Sequence, residues 1–450
     1  MVVNSDESSA GHAPVPVAPG RLPLFGHALS ILRRPLDLMT SLRAHGDVVT
    51  IYLGTLPAYV LTDPELAYRV LTLEAGKFGK GIFIEKFRPY FGNGLALSTG
   101  DLYRRQRRLV QPAFHRDRIL GYARTMIELA SAMVDGWRAG EEIAVDVRLR
   151  ELGLAVVART LFTTELGRQA ADEVQACVPI LIRDGMVRAF SPRLAPIPAN
   201  RRFDRAIARV RWVVGEVVAE ARATGADRGD LLSTLLLAED PETGERMDDT
   251  QVHDEVVTLL TAGTDTSAIA LAWFFHEIAR HPEVERRFHA EVDAAVPDGR
   301  VTVEALPRLT YTRQVITEVL RTHGPWLLMR RTLVEVDLGA VRLPAGAEVA
   351  ISPHATHQDP VVYPDPARFD PDRWSPERAA QVPKEFYLPF AAGLHSCPGQ
   401  QFAHTEIALV AAAVAARWRL VPVPGKPVRP KVLGIVYPSR LPMTAVPRHG

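Results

Sequence analysis

Cys397 lies in the segment Phe390-Ala-Ala-Gly-Leu-His-Ser-Cys-Pro-Gly399, directly before a long helical pattern. At a helix start, backbone N–H groups and the helix dipole favour an anion, so such a sulfur is readily held as thiolate. Gly393 and Gly399 let the backbone turn tightly and lie close to a flat partner. Phe390 can pack against the sulfur, and His395 can donate to a carboxylate. A lone cysteine is most often a buried structural residue. This context points instead to a thiolate ligand for a metal.

Three further combinations could do chemistry or support it. Ala262-Gly263-Thr264-Asp265-Thr266 falls mid-helix between apolar runs. A buried charge is costly unless it has a task or a partner, and threonine hydroxyls can bond back to the helix and open it locally. An acid and an alcohol in such a groove can deliver protons. Glu318 and Arg321 share one helix face, a weak signal alone at about 0.2–0.5 kcal/mol. It gains weight from Pro371-Asp372-Arg373-Trp374 downstream. Tyr103-Arg-Arg-Gln-Arg107-Arg108 is a basic helix whose Tyr103 and Arg107 share a face; most charge runs of this kind are simply solvated.

Other signals fail. His276 and His281 are five apart and cannot share one zinc, and His354 and His357 sit in a proline-rich loop without ligand spacing. No Gly-x-Gly-x-x-Gly follows a strand, so no nicotinamide or flavin domain is expected, and no Gly-x-Ser-x-Gly occurs.

The elements that must position these groups are mostly helical. The longest pattern starts at the capping residues Asp248-Asp249-Thr250 and ends at His281-Pro282; it is apolar on most faces and predicts a buried helix. Helical patterns fill 102–200, with breaks predicted near Pro179 and at Pro192–Pro198, then 202–222, 282–296, 311–322 and 400–417. Residues 48–62 read as a hairpin, and short strands are predicted over 332–352 and at the C-terminus. The fold class is mainly α with small β-sheets.

The chain has 450 residues, 47% of them hydrophobic, enough for a large core. The 53 basic and 52 acidic residues balance, which gives no argument for nucleic acid. Two cysteines exclude a disulfide scaffold and a four-cysteine metal site. Residues 1–20 are expected to form a flexible proline-rich tail, and 21–450 a single domain. The tail lacks the basic start and apolar run of a signal peptide, and no run of about 18 apolar residues is present. A soluble, cytoplasmic protein without a membrane anchor is expected.

The segment 390–399 resembles the haem-binding signature of the cytochrome P450 family, Phe-x-x-Gly-x-(Arg/His)-x-Cys-x-Gly. It is filled here by Phe390, Gly393, His395, Cys397 and Gly399; the second position, often Gly, is Ala391, and a slightly tighter loop is expected. The resemblance implies the P450 fold, with haem b between the long central helix and the cysteine loop and Cys397 as axial ligand of the iron. Asp265 and Thr266 match the family's oxygen-activation motif: Thr266 then orients protons and water at the bound oxygen, and Asp265 relays protons from solvent. Glu318, Arg321 and Arg373 match a structural ionic triad. Tyr103 and Arg107 match the aromatic–basic pair that binds the haem propionates, and Arg330 and His395 complete that set.

The same resemblance implies a monooxygenase that takes O₂ and receives electrons from a ferredoxin and ferredoxin reductase fed by NADPH or NADH. The segments 78–91, 181–190, 259–264, 326–329 and 433–437 match those that line the substrate pocket. They are apolar, with Lys80, Glu85, Lys86, Arg88, Arg183, Asp184 and Arg188 expected on loop surfaces. RLPLFGHALSILRRPL, YRRQRRLVQPAF, PANRRF and FDPDRWSPERAAQVPK resemble the actinobacterial sesquiterpene oxygenases. That implies an apolar sesquiterpene substrate, with a methyl group of a tricyclic hydrocarbon hydroxylated and the alcohol oxidised on to the aldehyde. Two other classes stay open: a fatty-acid peroxygenase that uses H₂O₂ directly, and a non-catalytic haem- or lipid-binding protein.

Overall fold

The central helix Asp249–Arg280 organises the molecule. At 32 residues it is about 48 Å long. Asp248 caps it by accepting the Gln251 N–H. In the computed structural model, which describes residues 14–192, 197–339 and 341–448, helices Val145–Leu161 and Gln400–Ala415 pack along it. Among the described residues it is the one helix long and apolar enough to cross a membrane, but most of its apolar stretch is buried inside the fold.

Glycines set two of the closest approaches. A Cβ on Gly263 would lie 2.9 Å from Val157 Cγ2, and one on Gly153 2.7 Å from the Thr264 carbonyl. These two glycines let Val145–Leu161 lie directly on the turn that carries Asp265 and Thr266.

Five of the twelve strands among the described residues form one sheet in the order Val48–Leu53, Leu56–Leu61, Glu348–Ile351, Leu328–Thr332, Phe78–Lys80. The hairpin pairs Val48 with Leu61 through Leu53 with Leu56. At the far edge Phe78–Lys80 runs antiparallel to Leu328–Thr332, which sets Lys80 directly opposite Arg330.

Two sequence-based expectations change, and His357 takes a core role. Glu165–Phe190 is one helix of 26 residues with Pro179 inside it. Proline removes one backbone donor, but the flanking turns and packing on Pro198–Thr224 carry the helix through. The expected tail of residues 1–20 is ordered from at least Pro16: its carbonyl accepts the Thr50 N–H, Ala18 N–H donates to Thr50 O, and Ala18 is buried. Residues 1–13 of that tail lie outside the described residues. His357 belongs to the core: its Nε2 accepts the Leu388 N–H and its Nδ1 lies 3.1 Å from the Arg321 carbonyl. Burial holds it neutral, with its pKa near 3.

Candidate active site

The cysteine loop is built by backbone constraints. Cys397 N–H donates to the Phe390 carbonyl at 2.9 Å, and Ser396 N–H to Gly393 O at 3.1 Å. Gly393 has φ +65°, and a Cβ there would sit 2.1 Å from the Leu71 carbonyl, so this position admits only glycine. Ala391 also has positive φ, +57°. The departure from the family's glycine therefore strains the loop, by about 1 kcal/mol or more, rather than tightening it. The Phe390 ring packs 5.4 Å from His404 of the following helix rather than serving the cavity alone.

Cys397 opens into a cavity of about 290 Å³. Gly399 closes the loop beneath it, where its Cβ would lie 3.9 Å from Sγ. Burial pushes the free thiol's pKa up, against the pull of the Gly399 N–H and Arg107. The protein alone therefore does not hold it as thiolate; a coordinated cation must supply that stabilisation.

Across the cavity stand Leu259, Ala262, Gly263 and Thr266 of the central helix. The Thr266 hydroxyl, exposed to the cavity, donates back to Ala262 O at 3.0 Å, which leaves its lone pairs facing inward. Asp265 faces elsewhere. It lines a neighbouring cavity of about 770 Å³ with Arg150, Arg183 and Tyr437. Burial raises its carboxyl pKa, with Arg150 opposing. The acid and the alcohol thus serve adjacent chambers from one helix turn.

Tyr103 and His395 line one edge of the cavity, with Arg107 and Arg330 just behind that lining, and the structure adds a member that sequence reasoning placed on the surface. Lys80 lines the cavity beside Tyr103, His395 and Ser396. Its Nζ lies 3.4 Å from His395 Nδ1 and 5.1 Å from the Tyr103 ring. Burial first and Arg330 second pull its pKa down to about 7, and burial takes Arg330 down to about 10. His395, buried among these cations, falls to about 3 and is neutral. Among the described residues no carboxylate lies within ion-pair distance of Lys80, Arg107 or Arg330. Like charges facing across a strand pair are destabilising. The wall is therefore made for an anion.

Tyr103 and Arg107 are in place but partly used by the protein. The Tyr103 hydroxyl donates to Leu394 O at 2.8 Å, and Arg107 Nη1 donates to Ser396 O at 2.6 Å. The Tyr103 proton thus braces the cysteine loop. The ring lies 4.2 Å from that of His395, tilted at 55°.

The ionic triad is formed and buried. Arg321 binds both Glu318 oxygens at 2.8 and 2.9 Å, and Arg373 Nε lies 3.5 Å from Oε1. Trp374 Nε1 donates to Glu318 Oε2 at 2.8 Å, so tryptophan at that place extends the network. Asp372 lies outside it, paired with Arg287 at 2.8 Å. Arg321 and Arg373 also donate to the carbonyls of His357, Pro366 and Asp365, which ties the proline-rich segment to Thr310–His323.

Two adjacent cavities complete the site. One of about 300 Å³ is lined by Phe87, Phe91, Val178, Leu181, Gly185, Thr261, Leu433 and Gly434, with no charged side chain. It shares Val178, Leu433 and Gly434 with the chamber of Asp265. Of the charges expected on loop surfaces, Asp184 and Arg188 are buried: Asp184 is held by Arg183 and Arg202, and Arg188 pairs with Asp204. Glu406 is a further residue that sequence reasoning missed. Fully buried beside Ser267, it has its pKa pushed up to about 8, so its carboxyl is protonated at neutral pH.

A sulfur at a helix start, a facing helix with an alcohol on the cavity, and an unneutralised cationic edge fit a flat dianionic metallo-macrocycle. The chain belongs to the cytochrome P450 family, whose model matches residues 16–445. It is a cytochrome P450 monooxygenase, with haem whose iron is ligated by thiolate. Among its relatives, cyclooctat-9-en-7-ol 5-monooxygenase of Streptomyces melanosporofaciens is 45% identical over 96% of this chain and 95% of the relative. Cyclooctatin synthase of the same organism is 44% identical over 92% of each chain. Pentalenene oxygenase of Streptomyces avermitilis is 38% identical, covering 94% of this chain and 95% of its own. The crystal structure of the cytochrome P450DA heme domain superposes with a TM-score of 0.88 at 26% identity, over 97% of this chain and 98% of that one.

Proposed function

We propose that this P450 oxidises an apolar cyclic terpene, a hydrocarbon or its monoalcohol, within one catalytic domain that begins near residue 16. The observation that carries this reading is the 300 Å³ cavity beside the central helix, walled by Phe, Leu and Val without a charged group. A carboxylate or sugar would lose hydration there without a partner, whereas a hydrocarbon gains about 25 cal/mol per Å² buried. Thr261 supplies one hydroxyl; its proton goes to Val257 O at 2.8 Å, so it is left to accept from a substrate alcohol.

The relatives named above for cyclooctat-9-en-7-ol, cyclooctatin and pentalenene support a terpene class. The sequence resemblance leads to pentalenene, with oxidation to pentalen-13-ol and pentalen-13-al in antibiotic biosynthesis. At 45% and 44% against 38%, the cyclooctat-9-en-7-ol and cyclooctatin enzymes support a ring alcohol at least as well.

Cys397 would hold the haem iron through its sulfur. Arg107, Arg330, His395 and Lys80 would hold the haem carboxylates, while Tyr103 braces the loop and forms part of the cavity wall. Phe390, Gly393 and Gly399 shape that loop. Bound haem would supply the O₂ chemistry of a monooxygenase: with two electrons and two protons from outside, one oxygen atom would enter a C–H bond and the other leave as water. Thr266 holds a water or proton at the cavity face. Asp265 takes protons from the 770 Å³ chamber and passes them along the helix turn toward Thr266. The electrons come from a ferredoxin and its NADPH- or NADH-dependent reductase in the cytoplasm.

The test is a titration of the ferric holoenzyme with a panel of cyclic terpene hydrocarbons, their monoalcohols and fatty acids, read in the haem spectrum. A low- to high-spin shift with one terpene and none with fatty acids supports the reading. A shift with fatty acids alone overturns it.

A further inference from the structure

The walls of the 300 Å³ cavity are themselves positioned by a residue that does not line it. Phe203 sits near the start of helix Pro198–Thr224 and is fully buried. Its ring is 5.2 Å from Tyr90 at 87°, 6.2 Å from Phe91 at 69° and 6.4 Å from Phe87 at 50°. Phe87 and Phe91 line the cavity; Phe203 stands behind them. A Cβ on Gly185 would lie 3.5 Å from the Phe203 ring and 3.7 Å from the Phe87 ring, so the opposite wall closes on the same ring. Edge-on aromatic contacts fix ring orientation as well as distance.

The backbone of this roof is held from the same helix. Arg211, two turns beyond Phe203, reaches the Tyr90 carbonyl at 3.4 Å and Asp254 of the central helix at 3.1 Å. Asp254 accepts the Asn93 N–H at 2.7 Å and fills the space a Cβ on Gly92 would need. The roof segment is thus pinned at its C-terminal end by Arg211 and Asp254. Its inward rings are left to be set by what stands behind them.

We propose that Phe203 is a specificity-determining positioning residue: without touching the substrate, it fixes how far Phe87 and Phe91 project into the substrate chamber. This rests on the reading of that cavity as the place of the substrate. Shortening Phe203 gives the two rings room to fall back and enlarges the chamber, while the haem edge and Cys397 are untouched. Large ligands gain and small ones do not.

The experiment uses ferric holoenzyme and two azoles that bind haem iron, imidazole and clotrimazole, titrated through the Soret shift. Phe203→Leu lowers the clotrimazole Kd by about fivefold or more, within the range a few methylene groups of pocket volume produce. The imidazole Kd stays within about twofold of the parent. Phe288→Leu, which removes a similarly buried ring packed 5.0 Å from Phe274 and absent from all three cavities, controls for general loosening. It leaves the ratio of the two constants unchanged. Any other pattern in Phe203→Leu, or an equal change of ratio in Phe288→Leu, overturns the proposal. Failure of the cavity reading is distinguishable, because Phe87→Ala, which removes a ring that lines the cavity, would then leave the clotrimazole Kd of the parent unchanged.

Discussion

Replacing Lys80 with Met tests whether the cationic edge is made for the haem carboxylates. Lys80 and Arg330 face each other across antiparallel strands, with no acid at ion-pair distance of either among the described residues. The cost is visible in the Lys80 pKa, drawn down to about 7 by burial and by Arg330. Such a group is stable as a cation only with an anion beside it. Removing one partner of a buried, hydrogen-bonded charge pair costs about 2–5 kcal/mol. Lys80 is partly accessible, and its loss also relieves repulsion on Arg330, so about 2 kcal/mol is expected, roughly thirtyfold in affinity. The assay is transfer of haem from the holoenzyme to excess apomyoglobin. Lys80→Met loses haem roughly thirtyfold faster, Lys80→Arg about as slowly as the parent, and Arg330→Met faster again. Unchanged loss in Lys80→Met, with rapid loss in Arg330→Met, would show that Lys80 does not contact the carboxylates.

Four further outcomes follow. Ala391→Gly relieves a positive φ of +57° and raises stability by about 1 kcal/mol, seen as a later thermal midpoint of the holoenzyme. Glu318→Gln leaves Arg321 and Arg373 buried without their anion and costs about 3–5 kcal/mol, which is measured as loss of soluble, haem-loaded protein. Thr266→Val keeps the shape of the cavity but removes its hydroxyl, so product formed per NADPH consumed falls while the substrate-induced spectral shift persists. Asp265 has its pKa raised above 3.8 by burial, so its ionisation destabilises the fold as pH rises through that value to the higher folded pKa. Asp265→Asn is therefore more heat-stable than the parent at pH 7, and the difference vanishes in melts near pH 3.

What was legible in the sequence was local. The cysteine loop, the Asp265-Thr266 turn and the Glu318-Arg321 pair each fall within one element, where spacing along the chain is spacing in space. The long helix showed itself by capping residues and length. What escaped depends on partners distant in the chain. Lys80 looks like a surface residue until Phe78–Lys80 pairs with a strand some 250 positions away and puts it inside. The Tyr103 hydroxyl could not be assigned before its distance to Leu394 was known. The positive φ of Ala391 is set by the path of the folded loop and could not be read from its residue type. Pro179 looked like a helix end and is not, since packing on the next helix outweighs one lost hydrogen bond.

The most direct test supplies the holoenzyme with a ferredoxin, its reductase, NADPH and ¹⁸O₂, and offers cyclic terpene hydrocarbons and their monoalcohols. The account predicts a terpene product that carries one ¹⁸O atom, abolished by Cys397→Ala. Hydroxylated fatty acids formed with H₂O₂ alone, and no product from any terpene, would contradict it.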